Sequence, residues 1–210
     1  PAKSESARAG KTSREAGSAK RTAAASQGKA GPKTTNEKNN KKEKKAGSEL
    51  VLYNLETGVE QRFPHVVSFE FSKSGNLLVF STSTKDQPGE DGVWVMDLNR
   101  GSVSPVLTGL GEYRGLAIND SGNGVAFLTN RDDYESKSPK WSLYHWRTGQ
   151  KKALPTVTPE SSGMAEGWSL AAGSQPVFSE DGRRLFFNTA PLPPAEKEES
   201  GEPQAKLDLW

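Results

Sequence analysis

The sequence contains no cysteine among its 210 residues. That removes disulfides, thiolate metal sites and a cysteine nucleophile from this segment, while leaving the compartment open. No apolar run approaches the roughly 18–20 residues that a membrane-crossing helix needs. No secretory signal pattern is visible ahead of the first structured-looking residues. The first 47 residues also lack Val, Ile, Leu, Met, Phe, Trp and Tyr altogether, Leu50 being the first such residue. A stretch so poor in apolar surface cannot offset the entropy lost on ordering it. A sustained 3.6-residue apolar period is missing throughout, so little helix is expected.

The net charge of +2 conceals an asymmetry. Residues 1–47 carry 13 Lys/Arg against 4 Asp/Glu, and residues 48–210 carry 15 against 22. The expectation is a disordered Lys/Ala/Ser/Gly-rich arm or insertion at 1–47, attached to a mildly acidic body at 48–210. Lys-rich arms can gain affinity for nucleic acid by counterion release. This one offers no aromatic ring for base stacking, so a linker or insertion is the preferred reading and nucleic acid is not an expected partner.

Beyond Leu50, short runs of β-branched, aromatic and leucine residues alternate with Gly, Asn, Asp and Ser, the pattern of many short strands. Three ten-residue stretches repeat: "FSKSGNLLVF" (71–80), "INDSGNGVAF" (118–127) and "FSEDGRRLFF" (178–187). Each is built around a glycine (Gly75, Gly122, Gly182), and each reads as strand, tight turn, strand. The glycine supplies the positive φ that closes such a hairpin without a Cβ clash. Ser72, Asn119 and Ser179 open the turns, where a short polar side chain can bond the backbone ahead. The second strand of each is apolar on both faces, which predicts burial on both faces.

A second repeat interleaves with the first. "LVLYNLETG" (50–58), "VWVMDLNRG" (93–101) and "SLYHWRTG" (142–149) each end a strand in a turn at Gly58, Gly101 or Gly149. Aligned on these glycines, Leu52, Val95 and Leu143 correspond, as do Leu55, Leu98 and Trp146. With strands A and B around the first glycine and C and D around the second, four antiparallel strands recur in roughly 40–50 residues, one blade of a β-propeller. The chain then supplies C and D of one blade, two whole blades, and A and B of another, with a loop at about 155–175. The expected fold is all-β: an incomplete propeller of about three blades' worth of four-stranded sheets. The segment 48–210 is expected to be cut in mid-blade from a longer protein, with "KLDLW" (206–210) as the start of a further strand C.

The hairpin "FSEDGRRLFF" and the strand end "VMDLNRG" (95–101) resemble the TolB-like propeller repeat. More narrowly, "FLTNRDDYESKSPKWSLYHWRTG" (127–149), "GWSL" (167–170) and "FSEDGRRLFFNTAP" (178–191) resemble the N-terminal propeller of bacterial prolyl oligopeptidase family serine peptidases, which include dipeptidyl- and acylaminoacyl-peptidase-like members. That resemblance implies a non-catalytic propeller that gates access of short peptide substrates to a C-terminal α/β-hydrolase domain, its partner in the same parent chain. The Ser–Asp–His triad would lie in that domain, so no catalytic residue carries over to this segment. It also implies a bacterial protein, periplasmic or secreted rather than cytoplasmic. The alternative is a stand-alone TolB-like propeller serving as a protein-interaction scaffold.

Side chains suited to chemistry are few. "GWSLA" (167–171) comes near a G-x-S-x-G elbow, but the flanking residues are not a buried strand and a helix, so Ser169 is not expected to be a nucleophile. His65 and His145 have no ligand-spaced partners, and no metal or cofactor is expected. "NRDDYES" (130–136) reads as a B–C loop whose Asp132 and Asp133 could meet a peptide's free amine or a cation. It lacks the spacing of a calcium loop. Arg131, Asp132, Asp133 and Trp168, the last placed on a Gly/Ser-rich loop, are the candidates for contact with a substrate or a neighbouring domain.

Overall fold

The repeated glycine turns share one hydrogen-bond scheme. In the computed structural model, which describes residues 44–193, the amide of residue 72 donates to Leu77 O, that of Asn119 to Gly124 O and that of Ser179 to Arg184 O. Each turn's first side chain then accepts an amide five residues on: Leu77 N–H to Ser72 Oγ, Gly124 N–H to Asn119 Oδ1 and Arg184 N–H to Ser179 Oγ, all at 2.9–3.0 Å. Gly75, Gly122 and Gly182 have φ of 68°, 67° and 65°. In the C–D turns, Asn54 Oδ1 accepts from Glu56 and Thr57, and Asp97 Oδ1 accepts from Asn99 and Arg100. Gly58, Gly101 and Gly149 again have positive φ.

These turns connect β1 (Ser48–Tyr53), β2 (Glu60–Phe71), β3 (Leu77–Thr82), β4 (Gly92–Asp97) and β5 (Ser102–Thr108) in one antiparallel sheet, paired in chain order. A second sheet holds β6 (Tyr113–Ile118), β7 (Gly124–Thr129), β8 (Ser142–Arg147) and β9 (Leu154–Val157). Two short pairs follow, β10 (Trp168–Leu170) with β13 (Thr189–Pro191) and β11 (Val177–Phe178) with β12 (Leu185–Phe186). They are two ends of one long hairpin. Helix among the described residues is confined to 3-10 turns at Pro88–Glu90 and Arg131–Asp133.

The first sheet differs from the expected separate half-blade in one respect. Strand D of the first hairpin and strand A of the next blade are one twelve-residue strand, β2. β1 pairs with its first half and β3 with its second, the two pairings meeting at Val66. A bend there turns the first half over the sheet face. His65 has φ 61°, unusual outside glycine, and both registers slip near Val66. Leu50, Leu52 and Phe63 thereby pack on Leu78, Phe80 and Met96, with the Phe63 and Phe80 rings 4.9 Å apart.

Face-to-face packing continues through the molecule. Val79, Val93, Val95 and Val106 of the first sheet meet Val125, Phe127, Tyr144 and Trp146 of the second. The second sheet's far face, Ala126, Leu128 and Leu143, meets Leu170, Phe178, Leu185 and Phe187. Four layers are therefore stacked: a C–D hairpin, two four-stranded blades, and an A–B hairpin. The all-β incomplete propeller read from the repeats is the observed fold. β3 and β7 are buried along their whole length, as strands sandwiched between layers must be. Among the described residues β12 has no layer beyond it, and Phe186 is exposed there. Residues 1–43 and 206–210, for which the arm and a further strand C are expected, lie outside the described residues. Residues 44–47, assigned by sequence to the arm, join the body: Gly47 N–H donates to Ser83 O, and Ser83 Oγ–H to Lys45 O.

The C–D alignment also needs adjusting at the third copy. Thr148 N–H donates to Asn123 O as Leu98 N–H donates to Asn76 O, so Trp146 corresponds to Met96 rather than Leu98. The slip is two residues. A two-residue slip leaves each side chain on the same face, which is why the apolar pattern matched regardless.

Candidate functional site

Antiparallel order places all six repeat glycines at one end of the stack and the B–C and D–A passages at the other, which include the longer connections 83–91, 130–141 and 158–167. That second end forms a rim carrying charged and aromatic side chains. It holds a pocket of about 330 Å³ lined by Lys44, Thr82, Glu112, Arg114 and Tyr134 among others. A neighbouring pocket of about 310 Å³ runs along residues 131–136 and Leu110, and Tyr134 lines both.

The rim is held by buried polar anchors. Asp91, fully buried, pairs with Lys44 and accepts the Thr84 amide at 2.6 Å and the Thr84 hydroxyl at 3.0 Å. The Lys44 ammonium also lies 5.8 Å from the centre of the Tyr134 ring, contributed by the next blade. Asn130 Oδ1 accepts the Glu112 amide at 2.8 Å, tying the D–A connection to the B–C loop. Strand alternation turns Tyr113 inward and its neighbours Glu112 and Arg114 outward, where they pair. Arg114 also covers the Trp141 ring, 5.1 Å from its centre.

The 3-10 turn places Arg131, Asp132 and Asp133 on the rim, and each has an internal partner. Arg131 donates to Thr108 O at 3.0 Å and runs beneath the 109–111 connection, where a Cβ on Gly111 would come within 2.8 Å of the Arg131 Cβ. Tyr144 OH donates to Asp132 Oδ2 at 2.7 Å. The Lys140 amide donates to Asp133 Oδ2 at 2.8 Å, closing the loop on itself. Burial, then the hydrogen bond to Asp132 and its charge, push Tyr144 up to about 12, with Arg131 opposing. Burial pushes Tyr113 to about 12 as well, and its hydroxyl donates to Gly109 O at 2.8 Å. Both phenols are therefore neutral donors at physiological pH, suited to holding the rim rather than to moving protons.

Trp168 is not on a loop as expected. It begins β10, paired with Pro191, and remains 39% exposed. Ser169 follows inside the same strand, buried, its hydroxyl donating to Leu170 O at 3.2 Å. A serine in a paired strand lacks the strained turn of a nucleophile elbow. His145 contacts the Phe178 ring at 5.9 Å, and burial, then Arg147, push its pKa down. Among the described residues no cluster of three His, Asp or Glu could hold a metal ion.

Sequence reasoning missed Lys44, Asp91, Glu112, Arg114 and Tyr134. The alternation in "GEYRG" was a usable signal for Glu112 and Arg114. Nothing local marked Lys44 and Asp91, which lie 47 positions apart in a lysine run and a loop.

No family model and no curated protein sequence matches the chain. Among solved structures it is similar to the β-propeller domain of the Trilobed protease from Pyrococcus furiosus, described as having an open velcro topology. There the identity is 17% and the TM-score 0.42, over 56% of this chain and 38% of that one. It is also similar to TolB from Acinetobacter baumannii, with 20% identity and a TM-score of 0.41 over 65% and 31% of the two chains. A third similar structure comes from work on two prolyl endopeptidases and inter-domain dynamics. It is 16% identical with a TM-score of 0.45, over 70% of this chain and 23% of that one. The chain thus spans well under half the length of each. The fold assignment rests on the sheet order and face packing described above.

Proposed function

We propose that this chain is a non-catalytic propeller segment of a prolyl oligopeptidase family serine peptidase, gating the access of short peptides to a companion α/β-hydrolase domain. The sequence support is the resemblance of 127–149, 167–170 and 178–191 to that family's propeller. The structural observation that carries it is the asymmetry of the stack. One end consists of tight glycine turns, and the other is a rim that carries the connections 83–91, 130–141 and 158–167, two adjoining pockets, paired charges and the exposed Trp168. A rim anchored by buried pairs such as Lys44–Asp91 is a rigid surface against which a second domain can seat, and propeller function lies in such grafted features rather than in the fold.

The test is the coding DNA downstream of this reading frame. The proposal expects further blades, then G-x-S-x-G, Asp and His in that order. In the parent protein, Trp168→Ala and Arg131→Ala would then relax the preference for short over long peptide substrates without abolishing turnover. Further blades followed by a stop codon would overturn the peptidase reading and leave a stand-alone binding propeller.

A further inference from the structure

We propose that Lys44 and Asp91 join covalently, Lys44 Nζ condensing with Asp91 Cγ to give an intramolecular isopeptide bond and one water. Among the described residues theirs is the ion pair taken out of water. The two side chains are 10% and 0% exposed, whereas in every other described pair both side chains are at least 30% exposed. Lys44 Nζ and Asp91 Oδ2 are both buried and meet each other, with no further hydrogen-bond partner among the described residues. A buried ion pair carries the desolvation cost of two charges, and an amide in its place carries neither charge. Both reactants are held before they react. Asp91 lies immediately before β4, and its carbonyl accepts Gly109 N–H at 2.9 Å. Lys44 is fixed by the residues that follow it, where Ser83 Oγ–H donates to Lys45 O and Gly47 N–H to Ser83 O, both at 2.9 Å. Thr84, next to Ser83, donates its amide to Asp91 Oδ1 at 2.6 Å, and its hydroxyl lies 3.0 Å from the same oxygen and 2.6 Å from Gln87 O. Residues 83 and 84 thus hold amine and carboxyl together, and fixed geometry replaces a chance encounter.

The step balances without an oxidant or a cofactor. Proton transfer within the pair gives a neutral amine and a neutral carboxyl, the forms that burial favours. Burial pushes the Lys44 pKa down, with the Glu112 charge opposing. The Nζ lone pair attacks Cγ, and the negative charge developing on Oδ1 meets the Thr84 amide, a donor already in place. The Cγ–Oδ2 bond then breaks. Oδ2 already carries the proton it took from the ammonium, gains a second from Nζ and leaves as water, while Oδ1 becomes the amide oxygen. Glu112, which lines the same pocket as Lys44, is the carboxylate assigned to relay that second proton. The bond closes a loop from 44 to 91 that contains β1, β2 and β3. In a chain without cysteine it acts as a disulfide would, by limiting the unfolded chain.

The proposal is independent of the peptidase reading and is tested by mass spectrometry of the purified, denatured chain. The intact mass should be one water below the sequence mass. Trypsin should give a branched peptide joining residue 44 to residues 86–100, uncut after the acylated Lys44. Lys44→Arg, which has no amine to acylate, should have its full sequence mass. Glu112→Gln should leave a larger unlinked fraction at a matched time after synthesis, and a fraction no larger than that of the wild type overturns the relay assigned to Glu112. A wild type of full mass overturns the bond itself and leaves Lys44 and Asp91 as an ion pair only. So does a missing water that persists in Lys44→Arg, because that loss would lie in a succinimide at Asp91–Gly92. The wild-type peptide map decides the matter whether or not the variants fold: the branched peptide supports the bond, and separate peptides ending at Lys44 and spanning 86–100 contradict it.

Discussion

Replacing Gly122 by alanine should cost clearly more stability than the same change at Gly75, although the two glycines occupy equivalent turns. Their φ values are 67° and 68°, so the left-handed backbone penalises alanine equally, by about 1–2 kcal/mol. The entropy that alanine removes from the unfolded chain is also common to both and cancels in the difference. What differs is the neighbouring blade. An alanine Cβ at 75 meets nothing within 4 Å, while one at 122 would lie 2.9 Å from Asn76 Oδ1 and 3.1 Å from Ser74 Oγ of the preceding turn. Those atoms are held: Ser72 and Ser74 hydroxyls both donate to Asn76 Oδ1. Crowding of this kind typically costs about 1–3 kcal/mol, placing Gly75→Ala at about 1–2 kcal/mol and Gly122→Ala at about 2–5 kcal/mol. Gly182→Ala should fall between them, its Cβ being 3.2 Å from Asn119 Nδ2. Urea unfolding at matched m values reads the three directly. Equal losses at 75 and 122 would refute the claim that successive A–B turns touch.

Three further outcomes follow from the rim and the core. Tyr113 and Tyr144 should ionise near pH 12 in an ultraviolet titration of the folded protein. Their neutral forms are favoured by folding, so this stability is complete below pH 10 and is lost as pH rises through about 12; Asp132→Asn should move Tyr144 back towards 10. His145 behaves oppositely, its folded pKa lying below 6.5, so stability should decline as pH falls from 6.5 through that lower value. His145→Gln should flatten that part of an acid-denaturation profile. Asp91→Ala should cost about 3–5 kcal/mol by leaving Lys44 without its buried partner, and adding Lys44→Met should restore part of the loss in the same unfolding assay.

The turns were legible because their chemistry is local. A polar residue, two loop residues and a glycine fix hydrogen bonds within five positions, and three copies repeat the signal. Strand B was legible for the same reason, since apolar residues on both faces leave no solvent side. Fusion of two strands into β2 was not legible, because the bend at His65 relies on a histidine in a conformation usually left to glycine. The third C–D turn misled the alignment by two residues, a shift that preserves facing and so leaves the hydrophobic pattern unchanged. Lys44 was hidden by its setting in a lysine run, and the partner that buries it comes from the first blade's B–C loop. The acidic pair 132–133 was found, but its ties to Tyr144 and Lys140 depend on the folded loop and have no signature in spacing.

The stacking of successive blades in register is the central claim, and one cross-link tests it most directly. Lys73 Nζ lies 2.7 Å from Asp120 Oδ2 across two consecutive A–B turns. A zero-length carbodiimide reaction followed by peptide mass spectrometry should yield an amide between Lys73 and Asp120 within one chain, lost in Asp120→Asn. Absence of that linked peptide while other lysine–carboxylate links form would contradict the stacked arrangement.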